Sequence, residues 1–126
     1  MQNPAELRYS KDHEWVRVED DRIRIGITDY AQDALGDVVY VELPATGTEV
    51  TVNESFTEVE STKSVSDIYA PVSGRIAEVN DELADNPERI NEDPYGDGWI
   101  CIIEPSNPGE VDALLDAEAY RALTED

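Results

Sequence analysis

Positive charge is scarce in this sequence and lysine nearly absent: Lys11 and Lys63 are the only two, beside seven arginines, in 126 residues. Recognition of nucleic-acid phosphates needs clustered Lys and Arg, so that class of partner is excluded. A single cysteine, Cys101, leaves no internal disulfide, and with one histidine, His13, and scattered acids there is no ligand spacing for zinc. The sequence also lacks an Asp-x-Asp-x-Asp-Gly loop for calcium, a glycine-rich phosphate loop and a Gly-x-Ser-x-Gly nucleophile turn. Nowhere do eighteen apolar residues run together, and the N-terminal MQNPAELRYS has no apolar stretch of the signal-peptide kind. These absences lead to the expectation of a soluble, cytoplasmic protein, with no membrane role and no catalytic equipment of its own.

Acid is what the chain has in excess. Thirty acidic against nine basic residues give a formal charge of −21, spread along the whole length. Self-repulsion of that size destabilises a compact state in dilute buffer, and concentrated salt relieves it because the screening length falls from about 10 Å at 0.1 M to about 3 Å at 1 M. Together with the shortage of lysine, this points to a salt-accumulating, halophilic source, with an acidic mesophilic protein as the alternative. Apolar residues make up 40% of the chain, and their short Val and Ile-rich runs are dense enough for one core. A single domain over 1–126 is expected, burying about two thirds of its unfolded surface.

Periodicity divides the chain into short strands. Residues 1 to 6 are expected to fray. Glu14 to Val18 and Arg22 to Ile27 read as strands around the turn Glu19, Asp20, Asp21, because Ile23, Ile25 and Ile27 alternate with Arg22, Arg24 and Gly26. Thr28 or Asp29 can cap a two-turn helix near 29–35, with Gly36 at a left-handed end. Val38 to Leu43 is apolar at nearly every position and is expected to be buried on both sides. Further strands are expected at Glu49 to Val52, Phe56 to Ser61, Val65 to Ala70, Arg75 to Val79 and Trp99 to Glu104. A long polar connection, Asn80 to Gly98, is expected to hold one helical turn starting at Pro87. A C-terminal helical region, about 108–124, repeats apolar residues at three and four residue spacing and has a break at Asp116. The sum is a mainly β domain of antiparallel barrel or sandwich type.

Phe56 to Ser61 and Val65 to Ala70 form a hairpin, about 55–74, with Thr62, Lys63 and Ser64 at its tip and Pro71 and Gly74 closing it. By residue type Lys63 can be a lysine carrying an acyl modification, a Schiff-base lysine or an ordinary solvated turn residue. The Schiff-base role needs an amine desolvated or beside another cation, and Glu58, Glu60 and Asp67 work against that. His13, followed by Glu14, reads as a residue at the start of a strand and not as a catalytic base. Cys101 lies in an apolar run and reads as a small buried hydrophobe. Tyr95 and Trp99 can anchor a partner-binding loop, although core packing of Trp99 with a tight turn before it fits better.

The whole chain resembles the glycine cleavage system H proteins. The matching stretches, in order, are AELRYSKDHEWVRVE, IGITDYAQDALGDVVYVELP, EVESTKSVSDIYAPVSGRIAEVN, NEDPYGDGWI and LLDAEAYRAL, which together cover nearly everything from Ala5 to Leu123. The resemblance implies a lipoyl/biotinyl-type barrel-sandwich hybrid of short antiparallel strands and a non-catalytic carrier, expected as a monomer. It implies lipoate in amide linkage on Lys63, as N6-lipoyl-lysine. It also implies an arm that takes an aminomethyl group from glycine decarboxylase, delivers it to a tetrahydrofolate-dependent aminomethyltransferase and is reoxidised by dihydrolipoamide dehydrogenase. A lipoate-attaching ligase or transferase is a further implied partner. Glu14 and Asp67 match acidic residues associated with a cleft that shelters the arm.

Biotin carriers share the hairpin lysine but set methionines beside it, and Met1 is the only methionine here. The nearer alternatives are a lipoyl domain of a 2-oxoacid dehydrogenase complex and a lipoate-relay carrier. This chain departs from the usual H-protein pattern in having Thr62 and Ser64 beside the lysine, Asn53 at a turn where glycine is common, and Ala34 where some relatives have histidine near the cleft. Asn53 suits its turn because asparagine tolerates a left-handed backbone nearly as well as glycine.

Overall fold

The computed structural model describes residues 3–124. Strands β1 (Arg8–Tyr9), β2 (Glu14–Glu19) and β3 (Arg22–Ile27) lead to helix α1 (Asp29–Leu35), followed by β4 (Val38–Val41), β5 (Glu49–Val50), β6 (Ser55–Ser61), β7 (Val65–Tyr69) and β8 (Gly74–Val79). Two single-turn helices, α2 (Glu82–Asp85) and α3 (Arg89–Glu92), precede β9 (Cys101–Pro105), a 3-10 helix (Pro108–Ala113) and α4 (Ala117–Thr124). The strands form two antiparallel sheets, one of order β1-β2-β3-β9-β8-β5 and one of order β4-β6-β7. They face each other without closing into a barrel, as expected of a mainly β barrel-sandwich hybrid.

Alternation explains the core. Ile23, Ile25 and Ile27 turn inward from β3 and join Ile76, Ile103, Val59 and Ile68 in one buried cluster, while Arg24 turns outward to Glu19. Full burial of such side chains contributes roughly 1.5–3 kcal/mol each. Leu7, Tyr9, Trp15, Tyr95 and Tyr120 form a second buried cluster, which seats α4 against β1 and β2. Gly26 is obligatory here, since a Cβ at that position would lie 2.8 Å from the Trp15 indole.

The expected ends of α1 are present. Thr28 Oγ1 accepts from the Ala31 amide, and Gly36, with φ of 83°, closes the helix with its N–H donating to the Gln32 carbonyl. The C-terminal region breaks at Asp116, whose Oδ1 accepts from the Ala119 amide at 2.8 Å. Trp99 is half-buried and packs against the second cluster, with the Arg24 guanidinium 4.5 Å from its ring centre, while Tyr95, in the turn before it, is itself buried in the cluster. Cys101 is fully buried, as expected, and burial pushes its thiol pKa up.

Other expectations change. β4 is not buried on both sides: Val38 and Val41 face the core, while Val39 and Tyr40 are 51% and 52% exposed. β4 is an edge strand with a bulge between Val38 and Tyr40, and the bulge lets two inward residues flank two outward ones. β5 stops at Val50, ahead of the turn in which Asn53 has φ of 68°. The connection from residue 80 to 98 holds two helical turns instead of one, and α3 begins at Arg89, two residues after Pro87. Of the residues expected to fray, 1 and 2 lie outside the described residues. Pro4 to Leu7 form a turn, with the Pro4 carbonyl accepting from the Tyr9 hydroxyl at 2.7 Å.

Candidate functional site

Lys63 lies at the tip of the β6–β7 hairpin, in a turn closed by the Ser61 amide donating to the Ser64 carbonyl at 2.8 Å. Four further hydrogen bonds brace that turn, one of them from the Ser61 hydroxyl to the Ser64 carbonyl at 3.2 Å. Ser61 Oγ accepts from the Lys63 and Ser64 amides at 3.3 and 3.1 Å, and the Thr62 amide donates to the Asp37 carbonyl at 3.0 Å, tying the tip to the segment after α1. The bracing runs through Ser61 and the backbone and not through the side chains of Thr62 and Ser64. Lys63 is exposed and makes no ion pair among the described residues. An exposed amine lacks the desolvation that Schiff-base chemistry requires.

The lysine stem rests on Gly36. A Cβ at Gly36 would lie 3.3 Å from Lys63 Cε and 3.9 Å from its Nζ, so the missing side chain leaves the groove in which the stem runs. Asn91 of α3 fixes this floor. Its Oδ1 accepts from the Val38 amide at 2.8 Å, and its Nδ2 donates to the Gly36 carbonyl at 2.8 Å and to Gln32 Oε1 at 3.0 Å. Nothing in the sequence singled out Asn91, because it sits in the polar connection and all three of its bonds go to residues more than fifty positions away.

Beside the turn opens a cleft of about 230 Å³ between α1 and β7. Ser64 belongs to its wall, so the cleft begins one residue after the lysine. Ile27, Leu35 and Ile68 supply apolar surface, and Asp12, His13 and Asp67 supply polar groups. Asp67 is thus brought to the cleft, while Glu14 stands behind it and is not among its lining residues. The Glu14 carboxyl is buried between Ser10 Oγ, at 2.5 Å, and the Tyr69 amide, which donates to it at 3.3 Å. It thereby holds the loop carrying Asp12 and His13 against β7. His13, read from sequence as a plain strand-start residue, belongs to the cleft wall. Its ring lies 4.8 Å from that of Tyr30, and its backbone has φ of 72°.

Burial raises the pKa of Glu14 from the ordinary 4.5 to about 8, against the opposing effect of its bonds to Ser10 and Tyr69. Below about pH 4.5 the folded and unfolded chains are both protonated here. Between about 4.5 and about 8 only the folded chain holds the proton, so stability falls as pH rises, by ~1.4 kcal/mol per unit, and the loss stays constant above. Glu14→Gln removes this titration. In molar salt, the stability of the variant relative to the parent, from urea unfolding, is expected to increase steadily from pH 5 to pH 8; a constant difference would contradict the assignment.

The fold and site define a class: a small two-sheet domain that presents one exposed lysine, on a braced hairpin, beside an open cleft. Residues 7–126 match the family model described as glycine cleavage H-protein, and the chain belongs to that family. It is 62% identical over 123 residues to the glycine cleavage system H protein of Geobacillus thermodenitrificans, covering 98% of this chain and 97% of that protein. It is 56% identical to the H protein of Anaeromyxobacter sp. (strain K), covering 100% and 98%. The crystal structure of a glycine cleavage system H protein from Mycobacterium marinum superposes with a TM-score of 0.88 at 45% identity, covering 94% of this chain and 96% of that one.

Proposed function

We propose that this chain is the lipoyl carrier of a glycine cleavage system, with lipoate in amide linkage on Lys63. The observation that carries the reading is the placement of Lys63: an exposed lysine with no ion pair among the described residues, on a turn fixed by Ser61 and Asp37, at the mouth of a cleft, in a member of this family. A lipoyl group fits the residues present. Gly36 leaves room for the lysine stem, Ile27, Leu35 and Ile68 offer apolar surface to a hydrocarbon chain, and Asp12 and Asp67 offer carboxylates to a cationic amine. Glu14, behind the wall, holds the Asp12–His13 loop in place.

When attached, the lipoyl group supplies the disulfide and dithiol chemistry by which an aminomethyl group is taken up and given up. The protein supplies reach and position. A flexible lysine stem on a rigid turn presents the attachment point in one geometry, and tethering replaces free diffusion with a high effective concentration at the next site. In this reading the donor enzyme is glycine decarboxylase, the acceptor a tetrahydrofolate-dependent aminomethyltransferase, and dihydrolipoamide dehydrogenase restores the disulfide. A ligase or transferase attaches the lipoate. The chain itself catalyses none of these steps and acts in the cytoplasm as a monomer. Among the described residues no helix is long and apolar enough to cross a membrane.

Reconstitution tests the proposal. The lipoylated chain, added to the three purified partner enzymes with glycine and tetrahydrofolate, is expected to restore glycine-dependent reduction of NAD, and omitting it to abolish that. Support of 2-oxoacid oxidation with no support of glycine cleavage would overturn the proposal in favour of a 2-oxoacid dehydrogenase lipoyl domain.

A further inference from the structure

A chain of buried hydrogen bonds runs from the C-terminal helix to the cleft. Tyr120 of α4 is fully buried, stacked on Tyr9 at 4.7 Å between ring centres, and its hydroxyl lies 2.7 Å from Thr28 Oγ1 and 2.8 Å from His13 Nδ1. Thr28 Oγ1, also fully buried, accepts from the Ala31 amide at 3.2 Å in its role as the cap of α1. The His13 carbonyl in turn accepts from the Thr28 amide at 3.0 Å, so the histidine backbone is fixed to the same cap.

Donor accounting gives this chain one direction. Among the described residues, the one acceptor in reach of the Thr28 hydroxyl hydrogen is the Tyr120 oxygen; were Tyr120 to donate to Thr28 instead, a fully buried hydroxyl would be left without an acceptor there. Thr28 therefore donates to Tyr120, and Tyr120 donates to His13 Nδ1. With Nδ1 accepting, the ring carries its proton on Nε2.

We infer that Tyr120 is a positioning residue that holds His13 in the neutral Nε2–H tautomer, so that the cleft wall carries no positive charge there. A protonated His13 would need Nδ1 as a donor, which would leave either the Tyr120 or the Thr28 hydroxyl hydrogen without an acceptor among these partners. A cation at this position would also compete for Asp12 and Asp67 with any cationic amine entering the cleft. The groups around the ring are Asp12 on its own loop, Glu14 next to it in β2, Tyr30 on α1, Asp67 on β7 and Tyr120 on α4. Desolvation lowers the His13 pKa from 6.5, with Asp12 opposing, in the direction the relay requires. The functional meaning of the relay rests on the lipoyl-carrier reading, but the relay itself is tested without it.

His13 is the only histidine, so its ring nitrogens can be read without ambiguity by nitrogen-15 NMR of the unlipoylated chain in molar salt. The parent is expected to show one tautomer, protonated at Nε2, down to a midpoint below 6.5. Tyr120→Phe keeps the stack on Tyr9 and removes the relay; it is expected to give a mixture of tautomers and a midpoint raised toward 6.5. Thr28→Ser keeps the hydroxyl and is expected to preserve the parent spectrum. An Nδ1–H tautomer or an even mixture in the parent would overturn the inference, and this spectrum decides the matter even if Tyr120→Phe fails to fold. A Tyr120→Phe spectrum identical to the parent's would overturn it as well. Failure of the carrier reading shows elsewhere, as an unmodified Lys63.

Discussion

Lys63→Arg is expected to abolish lipoylation and, in the reconstituted system, to reduce glycine cleavage to the level seen with the chain left out, while the fold stays intact. Arginine keeps the positive charge and the long stem, but its guanidinium is delocalised and protonated at every working pH, so it offers no free amine to acylate. The expected cost to stability is within about 0.5 kcal/mol, because Lys63 is exposed, makes no ion pair among the described residues and touches the body of the domain along Gly36. The turn does not depend on the side chain, since its bonds come from Ser61, the backbone and the Asp37 carbonyl. Intact mass after incubation with a lipoate-attaching enzyme and unfolding by urea check the two halves. A Lys63→Arg chain that still carries glycine cleavage would place the working residue elsewhere, and Lys11 would be the one lysine left.

The second large effect concerns salt. Of the thirty acidic residues, five glutamates form ion pairs among the described residues, with Arg22, Arg24, Arg75 and Arg89. These pairs lie at the surface, where water and salt screen them and each adds little. The remaining excess of acid acts as repulsion that folding concentrates. We propose on this basis a protein adapted to high internal salt. Raising potassium chloride from 0.05 M to 1 M is expected to raise Tm by on the order of 10 °C, because screening confines each charge to its near neighbours. The same screening removes long-range steering, so docking on partner enzymes would depend on short-range shape and hydrogen bonding. A Tm insensitive to salt would exclude the halophilic reading.

What the sequence revealed and what it hid divide along the range of the interactions. The β6–β7 hairpin, the β2–β3 pair and α1 between Thr28 and Gly36 are written locally, in alternation, turn residues and caps, and the structure has them close to the expected bounds. The half-exposed face of β4 could not be read, because the bulge that turns Val39 and Tyr40 outward is set by pairing with β6. Lys63 was legible as a rare residue at a turn, but its contact with Gly36 depends on how α1 and the hairpin meet. His13 and Asn91 were missed for a similar reason. His13 reaches Tyr120 across 107 positions, and Asn91 works only through partners on distant elements. The positive φ of His13 is also only weakly marked in sequence, since histidine is enriched in that region but adopts it in a minority of cases.

The carrier reading stands on what is attached to Lys63 in the native host. Intact-mass measurement of the natively expressed protein, followed by peptide mapping, is expected to show the mass increase of one lipoyl group located on Lys63. Native protein that is fully expressed beside active partner enzymes but carries an unmodified Lys63 would contradict it.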